Sequence, residues 1–438
     1  MLMRRRDGAR GRASSRWALA LSSLALAALS QASADAATLY VSNQGSNSVS
    51  VYGIGAGGLP SPVTCDPTTD RKTGTHPFGV AIDPSGTHLY TANSMAGSVS
   101  VFTIGAGGAL SPVTCDPTTS CKATAAASVA VDPSGTHVYA VDVGNPHGSV
   151  DVFSIGAGGA LTPVTCDPST SCQAGNQPEG IAIDPGGKHV YVANSASNSV
   201  SVFSVGADGA LTPVTCDPTT SCKTGNGATA VAVDPSGTHV YVTNGGSPSS
   251  VSVFSIGPDG ALSPVTCDPS TSCAAASGPE GIAIHASGTR LYTSNEGANN
   301  VSAFSIGAGG ALSPIACTPS TNCATGTDAT ALAVSSHVYV SSFVGHKLSV
   351  FAIGAGGELS PVTCDPTTIC KTGTDPSSFS VAISPDRGPT AAFSESSQPA
   401  GSPSRFDASG STSPDYPIAS YAWNFGDGQT QTASTPTT

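Results

Sequence analysis

Residues 180–222 read GIAIDPGGKHVYVANSASNSVSVFSVGADGALTPVTCDPTTSC, and this segment contains the complete repeating unit of the chain. It contains four strand-like runs, at residues 181–183, 189–194, 199–204 and 211–215. The first run is continuously apolar, as in a strand buried on both faces, and the third alternates polar and apolar residues, as in a half-buried strand. Asp-Pro-Gly-Gly lies between the first and second runs, and Gly-Ala-Asp-Gly lies between the third and fourth. Both sequences are typical of turns. Pro213 in the fourth run predicts an outer edge strand, where a missing amide donor is tolerated.

The same pattern occurs seven times along the chain. Each copy carries a strand similar to Tyr-Val-x-Asn, which starts at Leu39, Leu89, Val138, Val190, Val240, Leu291 and Val338. Successive starts are 47 to 52 residues apart, and a fixed period of this size marks a supersecondary unit that buries its apolar face by stacking on its neighbours. Four antiparallel strands per unit, with proline in the edge strand, predict the blade of a β-propeller. We therefore predict an all-β, seven-bladed propeller over residues 37–385.

One strand is left over at the end of the repeats, and it predicts how the ring closes. The first copy begins at Leu39 with the second strand of a blade, so it lacks an innermost strand. Residues 379–384, FSVAIS, match FGVAID of residues 78–83. We expect this C-terminal strand to lie beside residues 39–43 and to complete the first blade. A parallel β-helix is the structural alternative, but its rungs are usually shorter and leave no strand over.

The repeats resemble the YVTN repeat family and the lactonase-like seven-bladed propellers. Residues 241–244 spell YVTN, and GIAIDPGGKHVYVAN at residues 180–194 carries the paired pattern of those propellers. The resemblance covers about residues 37–385 and implies the propeller fold. Lactonases of this kind typically place His, Arg and acidic groups in the central channel. Kelch and WD repeats have similar periods, but residues 37–385 contain no tryptophan.

Beyond the repeats, residues 388–438 resemble the first half of a PKD domain, an immunoglobulin-like β-sandwich of secreted and surface proteins. FDASGS at residues 406–411 and WNFGDG at residues 423–428 carry this resemblance, with Asn424 where the family often has Asp. A sandwich of this class spans roughly 100 residues. We therefore interpret the segment as a partial PKD domain.

The first 34 residues predict an export signal that is removed from the mature chain. Six arginines precede an apolar run at residues 17–30, and Ala-Ser-Ala at residues 32–34 or Ala-Asp-Ala at residues 34–36 supplies a cleavage site. A short membrane anchor is the alternative, but this run is shorter than the roughly 20 residues that span a bilayer. We expect a secreted or cell-surface protein whose mature chain has no membrane span.

The charge of the mature chain bears on its partners. Residues 35–438 carry 10 basic and 27 acidic side chains, a net charge of −17. This charge argues against nucleic acid or an anionic membrane as partner, since both require a basic patch. We expect a monomeric propeller whose partner, if any, is an extracellular protein or a polysaccharide. The sequence contains no P-loop, HExxH or EF-hand motif, so we predict neither a cofactor nor a metal.

Thirteen cysteines recur in one region of the repeat. Six copies read Cys-x5-Cys: Cys115–Cys121, Cys166–Cys172, Cys216–Cys222, Cys267–Cys273, Cys317–Cys323 and Cys364–Cys370. In an exported chain such pairs predict disulfides. The first copy has only Cys65, because Arg71 occupies the partner position, and Cys65 is therefore predicted to be a free thiol. A metal site is the alternative, but it requires three or four ligands around one ion, whereas these pairs belong to different blades.

The candidate site residues lie where inner strands begin at the central channel. Glu179 and Glu280 each occupy a Pro-Glu-Gly-Ile-Ala-Ile sequence at this position, two blades apart. Two carboxylates at a channel mouth either hold a cation or act as acid and base, or they are solvated glutamates at a polar opening. His76 is the one histidine near this position. Five other histidines follow the first turn of a blade and are expected to be structural: His88, His137, His189, His239 and His337.

Three functional hypotheses remain. The first is a non-catalytic propeller scaffold joined to a PKD-type module, because near-identical blades leave few specialised positions. The second is a lactonase-like hydrolase of sugar lactones, similar to 6-phosphogluconolactonases, with its site in the channel. The third is an adhesin that binds polysaccharide through exposed aromatic side chains. Only Arg71 and Arg290 supply arginine within residues 37–385, and neither begins an inner strand, which favours the non-enzymatic scaffold.

Overall fold

The computed structural model describes most of the repeat region and parts of the C-terminal segment. The described residues are 37–63, 71–116, 120–144, 148–166, 172–216, 222–267, 273–317, 323–363, 370–384, 394–396, 405–409, 411, 421–424 and 430–433. The predicted export signal at residues 1–34 lies outside them. Within the described residues, no helix is long and apolar enough to cross a membrane. Asp35–Arg387 forms one compact unit, and Gly388–Thr438 belongs to another.

The described residues of the repeat region form 28 strands. The first eleven are β1 (Thr38–Asn43), β2 (Ser48–Ile54), β3 (Pro60–Pro62), β4 (Pro77–Ile82), β5 (His88–Asn93), β6 (Ser98–Ile104), β7 (Leu110–Val113), β8 (Ala126–Val131), β9 (His137–Asp142), β10 (Ser149–Ile155) and β11 (Leu161–Val164). The next eight are β12 (Pro178–Ile183), β13 (His189–Asn194), β14 (Ser199–Val205), β15 (Leu211–Pro213), β16 (Ala228–Val233), β17 (His239–Asn244), β18 (Ser250–Ile256) and β19 (Leu262–Pro264). The last nine are β20 (Pro279–Ile284), β21 (Arg290–Asn295), β22 (Asn300–Ile306), β23 (Leu312–Ile315), β24 (Ala329–Val334), β25 (His337–Ser342), β26 (Lys347–Ile353), β27 (Leu359–Val362) and β28 (Pro376–Ile383).

These strands form seven antiparallel blades of four strands, which confirms the predicted seven-bladed propeller. Blade 1 comprises β28, β1, β2 and β3 from the inside outward, and blades 2 to 7 follow as consecutive groups of four from β4 to β27. The fourth strands are short and each contains proline, in agreement with the predicted edge position. Short 3-10 turns precede four of them, at Ala56–Gly58, Ala106–Gly108, Ala157–Gly159 and Ala308–Gly310.

The C-terminal strand closes the ring as the sequence predicts. Leu39 pairs with Ile383, Tyr40 with Ala382 and Val41 with Val381 in an antiparallel ladder between β1 and β28. The amide of Ser384 also donates to the carbonyl of Thr38 at 2.8 Å. The innermost strand of blade 1 therefore comes from the opposite end of the repeat region.

The core lies between neighbouring blades rather than within them. Tyrosines of the second strands and phenylalanines of the third strands are fully buried there, among them Tyr139, Tyr241, Phe203 and Phe254. Several of these tyrosines also donate to the next blade; the hydroxyl of Tyr139, for example, reaches the carbonyl of Gly209 at 3.2 Å. Because an isolated blade leaves such residues exposed, stacking supplies the hydrophobic stabilisation.

The turns that carry the five repeated histidines pack between blades. Asp83 accepts hydrogen bonds from the Thr87 and His88 amides at 2.7 and 3.0 Å, and from Nδ1 of His88 at 2.9 Å. Burial raises the pKa of the Asp83 carboxyl, but these hydrogen bonds outweigh burial and hold the pKa below its ordinary value. The ring of His88 lies against Gly159 of blade 3, where a Cβ atom would be 2.4 Å from its Cδ2. The structural role expected for these histidines is thus a contact between blades.

Five of the predicted cysteine pairs are described. Their Cα atoms are 5.7 to 6.0 Å apart, a separation that suits a disulfide, and each pair lies within one blade. The second cysteine of each pair is buried; Cys121, for example, packs in a cluster with Tyr90 and Val138 of adjacent blades. Cys65 and Cys364 lie outside the described residues, so the free thiol and the sixth pair stay predictions.

Four strands are described in the C-terminal unit. They are β29 (Ser394–Ser396), β30 (Arg405–Asp407), β31 (Tyr421–Asn424) and β32 (Thr430–Ala433). β29 pairs antiparallel with β30, and β31 pairs antiparallel with β32. Antiparallel pairs are the building units of the β-sandwich that the sequence indicates here.

Candidate functional site

One face of the propeller carries the beginnings of all the inner strands, and here we define the mouth ring by three positions in each blade. The first is the inner-strand position of Glu179: Phe78, Ala127, Glu179, Thr229, Glu280, Thr330 and Phe379. The second is the residue before each inner strand: His76, Ala125, Gln177, Gly227, Gly278, Asp328 and Asp375. The third is the residue after each second strand: Gln44, Ser94, Val143, Ser195, Gly245, Glu296 and Phe343.

The backbone of the mouth ring repeats in every blade. The amide at the third position donates to the carbonyl at the second position in all seven blades, at 2.7 to 3.4 Å. The second position has a positive φ throughout, from 47° at Ala125 to 65° at Gly227. Five of these seven residues are not glycine, and such strained backbone is found preferentially at functional sites. The side chains at these positions nevertheless differ from blade to blade.

Below the mouth ring, the channel is closed by aliphatic side chains. One such residue from each inner strand lines a cavity of about 170 Å³: Val80, Val129, Ile181, Val231, Ile282, Leu332 and Val381. The ladder of each inner strand also shifts register just before this residue, for example between Pro178 and Ile181. A bulge of this kind re-aims the side chains beside it. A ligand in the channel therefore meets the mouth side chains first and, below them, backbone and aliphatic side chains of the inner strands.

The carboxyl of Glu179 is perturbed by its surroundings. Its side chain is half-buried, and Ser195 of the mouth ring is its neighbour, with a hydroxyl that donates to the carbonyl of Gln177 at 3.1 Å. Burial raises the pKa of the Glu179 carboxyl, and the polar Ser195 side chain opposes this only in part. A carboxylate with a raised pKa in a cleft suits proton transfer near neutral pH.

Glu280 occupies the equivalent place two blades away. Its side chain is also half-buried. Its carbonyl accepts a hydrogen bond from the Thr243 hydroxyl of blade 5 at 3.5 Å, which ties the start of β20 to the neighbouring blade. Glu296 of the same blade enters the mouth ring at the third position, where Ser195 stands in blade 4. Blade 6 therefore brings two carboxylates to the mouth.

His76 lies on blade 2, so the three predicted residues belong to blades 2, 4 and 6. Its Nδ1 is 2.5 Å from Nε2 of Gln44, another mouth residue. Its amide donates to Oδ1 of Asn47 at 2.8 Å, and its carbonyl accepts from the Ser94 amide at 2.9 Å. The imidazole is thus positioned at the mouth, with Gln44 as its side-chain partner.

Other inner-strand positions hold the ring together rather than face a ligand. Thr229 and Thr330 are buried. The Thr229 hydroxyl reaches the carbonyl of Pro279 in the next blade at 3.0 Å, and the Thr330 hydroxyl reaches the carbonyl of Pro376 at 3.3 Å. Since these hydroxyls are occupied between blades, the glutamates are the ionisable side chains at this position.

Three acidic mouth residues were missed by the sequence analysis: Glu296, Asp328 and Asp375. All three are half-buried. Asp375 also lies 3.6 Å from Nδ1 of His346. They lie in loops at positions where the repeats differ, and the sequence alone did not place these loops beside Glu179.

A second carboxylate pair lies further from the channel in blade 3. In blade 2, Nδ2 of Asn93 donates to Oγ of Ser100 at 2.9 Å, and the equivalent bond recurs in four other blades. Blade 3 has Asp142 and Asp151 at these positions. Burial and then the charge of Asp142 raise the pKa of Asp151 to about 7, and Oδ2 of Asp151 has no hydrogen-bond partner.

The described residues contain no group of three or more His, Cys, Asp or Glu side chains that could hold a metal ion. The ionisable side chains of the mouth ring are carboxylates and the imidazole of His76. Glu179 can take a proton from water, Glu280 can accept hydrogen bonds from hydroxyl groups, and His76 can donate or accept one.

Family and fold comparisons agree with this architecture. The family model described as "Lactonase, 7-bladed beta-propeller" matches residues 22–118, 68–272 and 116–382, and a PKD-domain model matches residues 387–438. No protein among the curated sequences matches the chain.

Several solved structures share the fold at low sequence identity. The periplasmic gluconolactonase of Pseudomonas aeruginosa is 18% identical with a TM-score of 0.61, and the alignment covers 80% of this chain and 99% of that one. A putative 6-phosphogluconolactonase of Bacteroides fragilis is 17% identical with a TM-score of 0.62, covering 81% and 99%. Its counterpart from Bacteroides uniformis is 16% identical with a TM-score of 0.61, covering 79% and 99%.

Proposed function

We propose that this chain, which belongs to the family of seven-bladed β-propeller lactonases, hydrolyses a lactone at its mouth ring. The observation that carries the proposal is the Glu179 carboxyl, half-buried at the start of an inner strand with a raised pKa. The lactonases among the structural relatives support the same reaction class. The family match thus favours the hydrolase over the scaffold.

In the proposed reaction, Glu179 acts as the general base. It takes a proton from a water molecule, whose oxygen forms a bond to the acyl carbon of the lactone as the ring ester bond breaks. The proton then passes to the departing ring oxygen, and the product is a hydroxy acid. Glu280, two blades away, accepts hydrogen bonds from substrate hydroxyl groups. His76 lies two blades from Glu179 in the other direction and contacts the substrate from there.

The distribution of variation among the repeats also supports an active site. The scaffold hypothesis relies on near-identical blades, yet the third mouth position alone holds six residue types in seven blades. An asymmetric site requires this kind of local difference, whereas the backbone contact beneath these side chains is the same in every blade.

The test is hydrolysis of D-glucono-1,5-lactone by the purified chain in a pH-stat. We expect a rate well above the spontaneous one, which falls about 100-fold or more in Glu179→Gln and in Glu179→Gln/Glu280→Gln, in line with the usual contribution of a general base. Glu358→Gln is the matched control, because Glu358 is exposed on the opposite face of blade 7. Since the active form of Glu179 is ionised, kcat/KM should rise with pH through its raised pKa. A rate equal to the spontaneous one, or full activity in the double variant, would refute the proposal.

A further inference from the structure

The charges of the mouth ring have one sign. Five of its residues carry carboxylates: Glu179, Glu280, Glu296, Asp328 and Asp375. All five are half-buried, and four of them follow one another around blades 6, 7 and 1. Among the 21 positions that define the ring, His76 is the only basic residue.

The lysines and arginines of the propeller lie elsewhere. All eight between residues 37 and 384 are described: Arg71, Lys72, Lys122, Lys188, Lys223, Arg290, Lys347 and Lys371. Six belong to third strands or to the segments bridged to them, as in the pairs Ser98 with Lys122 and Lys347 with Lys371. A third strand is two strand spacings, about 10 Å, outside the inner strand. Lys188 and Arg290 lie at the turns on the opposite face.

Many backbone donors at the mouth are also occupied, at the second and third positions. The amides of His76, Gly227 and Asp328 donate to asparagine Oδ1 atoms at 2.6 to 2.8 Å. The Asp375 amide donates to Nδ1 of His346 at 3.1 Å, and the amides of the third mouth position all donate to carbonyls. The described residues contain no α-helix. The mouth ring thus has neither a lysine or arginine side chain nor the N-terminus of a helix, the two usual ways to bind a phosphate.

We infer that the mouth ring restricts the substrate to uncharged, unphosphorylated lactones. This inference rests on the hydrolase proposed above and names the substrate class of the same site. A phosphoryl group carries about two negative charges, and it would enter a ring of carboxylates that has no lysine or arginine. The phosphoryl group and the carboxylates carry like charges and repel each other, most strongly where water is partly excluded. The chain therefore differs in specificity from an enzyme whose substrate is a sugar-phosphate lactone.

The negative charge of the mouth ring also assists release of the product. Ring opening adds one water to the lactone and leaves a hydroxyl group and a carboxylic acid, which loses its proton at neutral pH. An uncharged substrate thus becomes an anion within the ring of carboxylates. The carboxylates repel this anion, so the product leaves the mouth more readily than the substrate.

The test compares kcat/KM for D-glucono-1,5-lactone with that for its 6-phosphate, using the full chain. At about 20 mM salt we expect at least a 100-fold preference for the uncharged lactone. At about 500 mM salt the preference should shrink several-fold, because ions screen the repulsion of partly exposed charges. Glu296→Lys/Asp328→Lys should lower the preference at least tenfold. Asp259→Lys/Glu358→Lys makes the same charge change at exposed turns of the opposite face and should leave the preference unaltered.

Each other outcome has a definite meaning. Equal or faster hydrolysis of the 6-phosphate would refute the inference and leave the hydrolase standing. An equal change of preference in the mouth variant and in the control variant would show that net charge, not the mouth ring, selects the substrate. If neither lactone is hydrolysed above its spontaneous rate, the proposed hydrolase is refuted and the inference falls with it. A thermal unfolding scan of each variant verifies that it is folded.

Discussion

The two faces of the propeller differ in how strictly their side chains repeat. On the face opposite the mouth, the turn after the inner strand begins with aspartate and ends with histidine in blades 2 to 5, as at Asp132 and His137. At the mouth, the residue after the second strand changes from Ser94 to Val143 to Ser195 in successive blades. The backbone hydrogen bonds repeat on both faces.

The physical reason is that the two faces perform different tasks. The histidine turns pack against a glycine of the next blade, so their side chains are fixed by a contact that every blade needs. At the mouth, only some side chains connect blades, such as those of Thr229 and Thr330, and the backbone contact that repeats lies within each blade. Side chains at the mouth are therefore free to differ, and the differences are where a ligand site can form.

The largest expected effect comes from breaking the ring that both faces share. Deletion of residues 378–438 removes most of β28, which pairs with β1 and lies between blades 7 and 2. We expect loss of the cooperative thermal transition, measured by circular dichroism, because blade 1 loses its inner strand and its ladder hydrogen bonds. Deletion of residues 388–438 is the control and should leave the transition in place. A folded 1–377 chain would contradict the closure.

The next effect tests the contact on the opposite face. Gly159→Ala places a methyl group about 2.4 Å from His88, at a φ of 81°. We expect a loss of about 2–4 kcal/mol in the free energy of unfolding, measured with urea, from overpacking and backbone strain. Gly158→Ala shares the positive φ but meets no atom within 4 Å, so it should cost only about 1 kcal/mol. Equal losses would show that the histidine contact contributes nothing.

A smaller effect, of opposite sign, is expected where blade 3 departs from its neighbours. The pKa of Asp151 rises from 3.8 in the unfolded chain to about 7 in the folded one. Between these values the folded state binds the extra proton, so this carboxyl destabilises the fold increasingly as pH rises. Asp142→Asn/Asp151→Ser restores the pair of the other blades and should stabilise the fold at pH 8 by on the order of 2 kcal/mol.

Two controls accompany this prediction. The gain should vanish near pH 3.5, where both states are protonated at this site. The reverse change in blade 2, Asn93→Asp/Ser100→Asp, should introduce the same penalty at pH 8. Calorimetric melting temperatures over pH 3.5 to 8 measure both. If the stability gained by Asp142→Asn/Asp151→Ser does not depend on pH, the gain comes from packing and not from removal of the Asp151 charge.

The fold could be predicted from the sequence because the pattern of one blade occurs seven times along the chain. Turn residues, edge prolines and the spare strand before Ser384 agree on one closed architecture, and such agreement between levels is what specifies a fold. The candidate site could be predicted only in part. Glu179 and Glu280 stand out because they replace uncharged residues in a short apolar run. Glu296 and Asp328 lie in loops, where an acidic residue is ordinary, and only the three-dimensional ring shows that they face the same opening as Glu179.

The smallest effect on stability is expected at the mouth. Glu296→Gln alters a half-buried side chain whose backbone amide, bonded to the Gly278 carbonyl at 2.7 Å, is untouched. Replacement of a charge by a neutral isostere away from the core usually changes the free energy of unfolding by at most about 0.5 kcal/mol. The same change should alter lactone kinetics, since it removes one of five carboxylates from the mouth ring. Urea unfolding and kcat/KM are measured on the same preparation. A stability loss comparable to that of Gly159→Ala would mean that the mouth side chains are structural, and the contrast between the two faces would then fail.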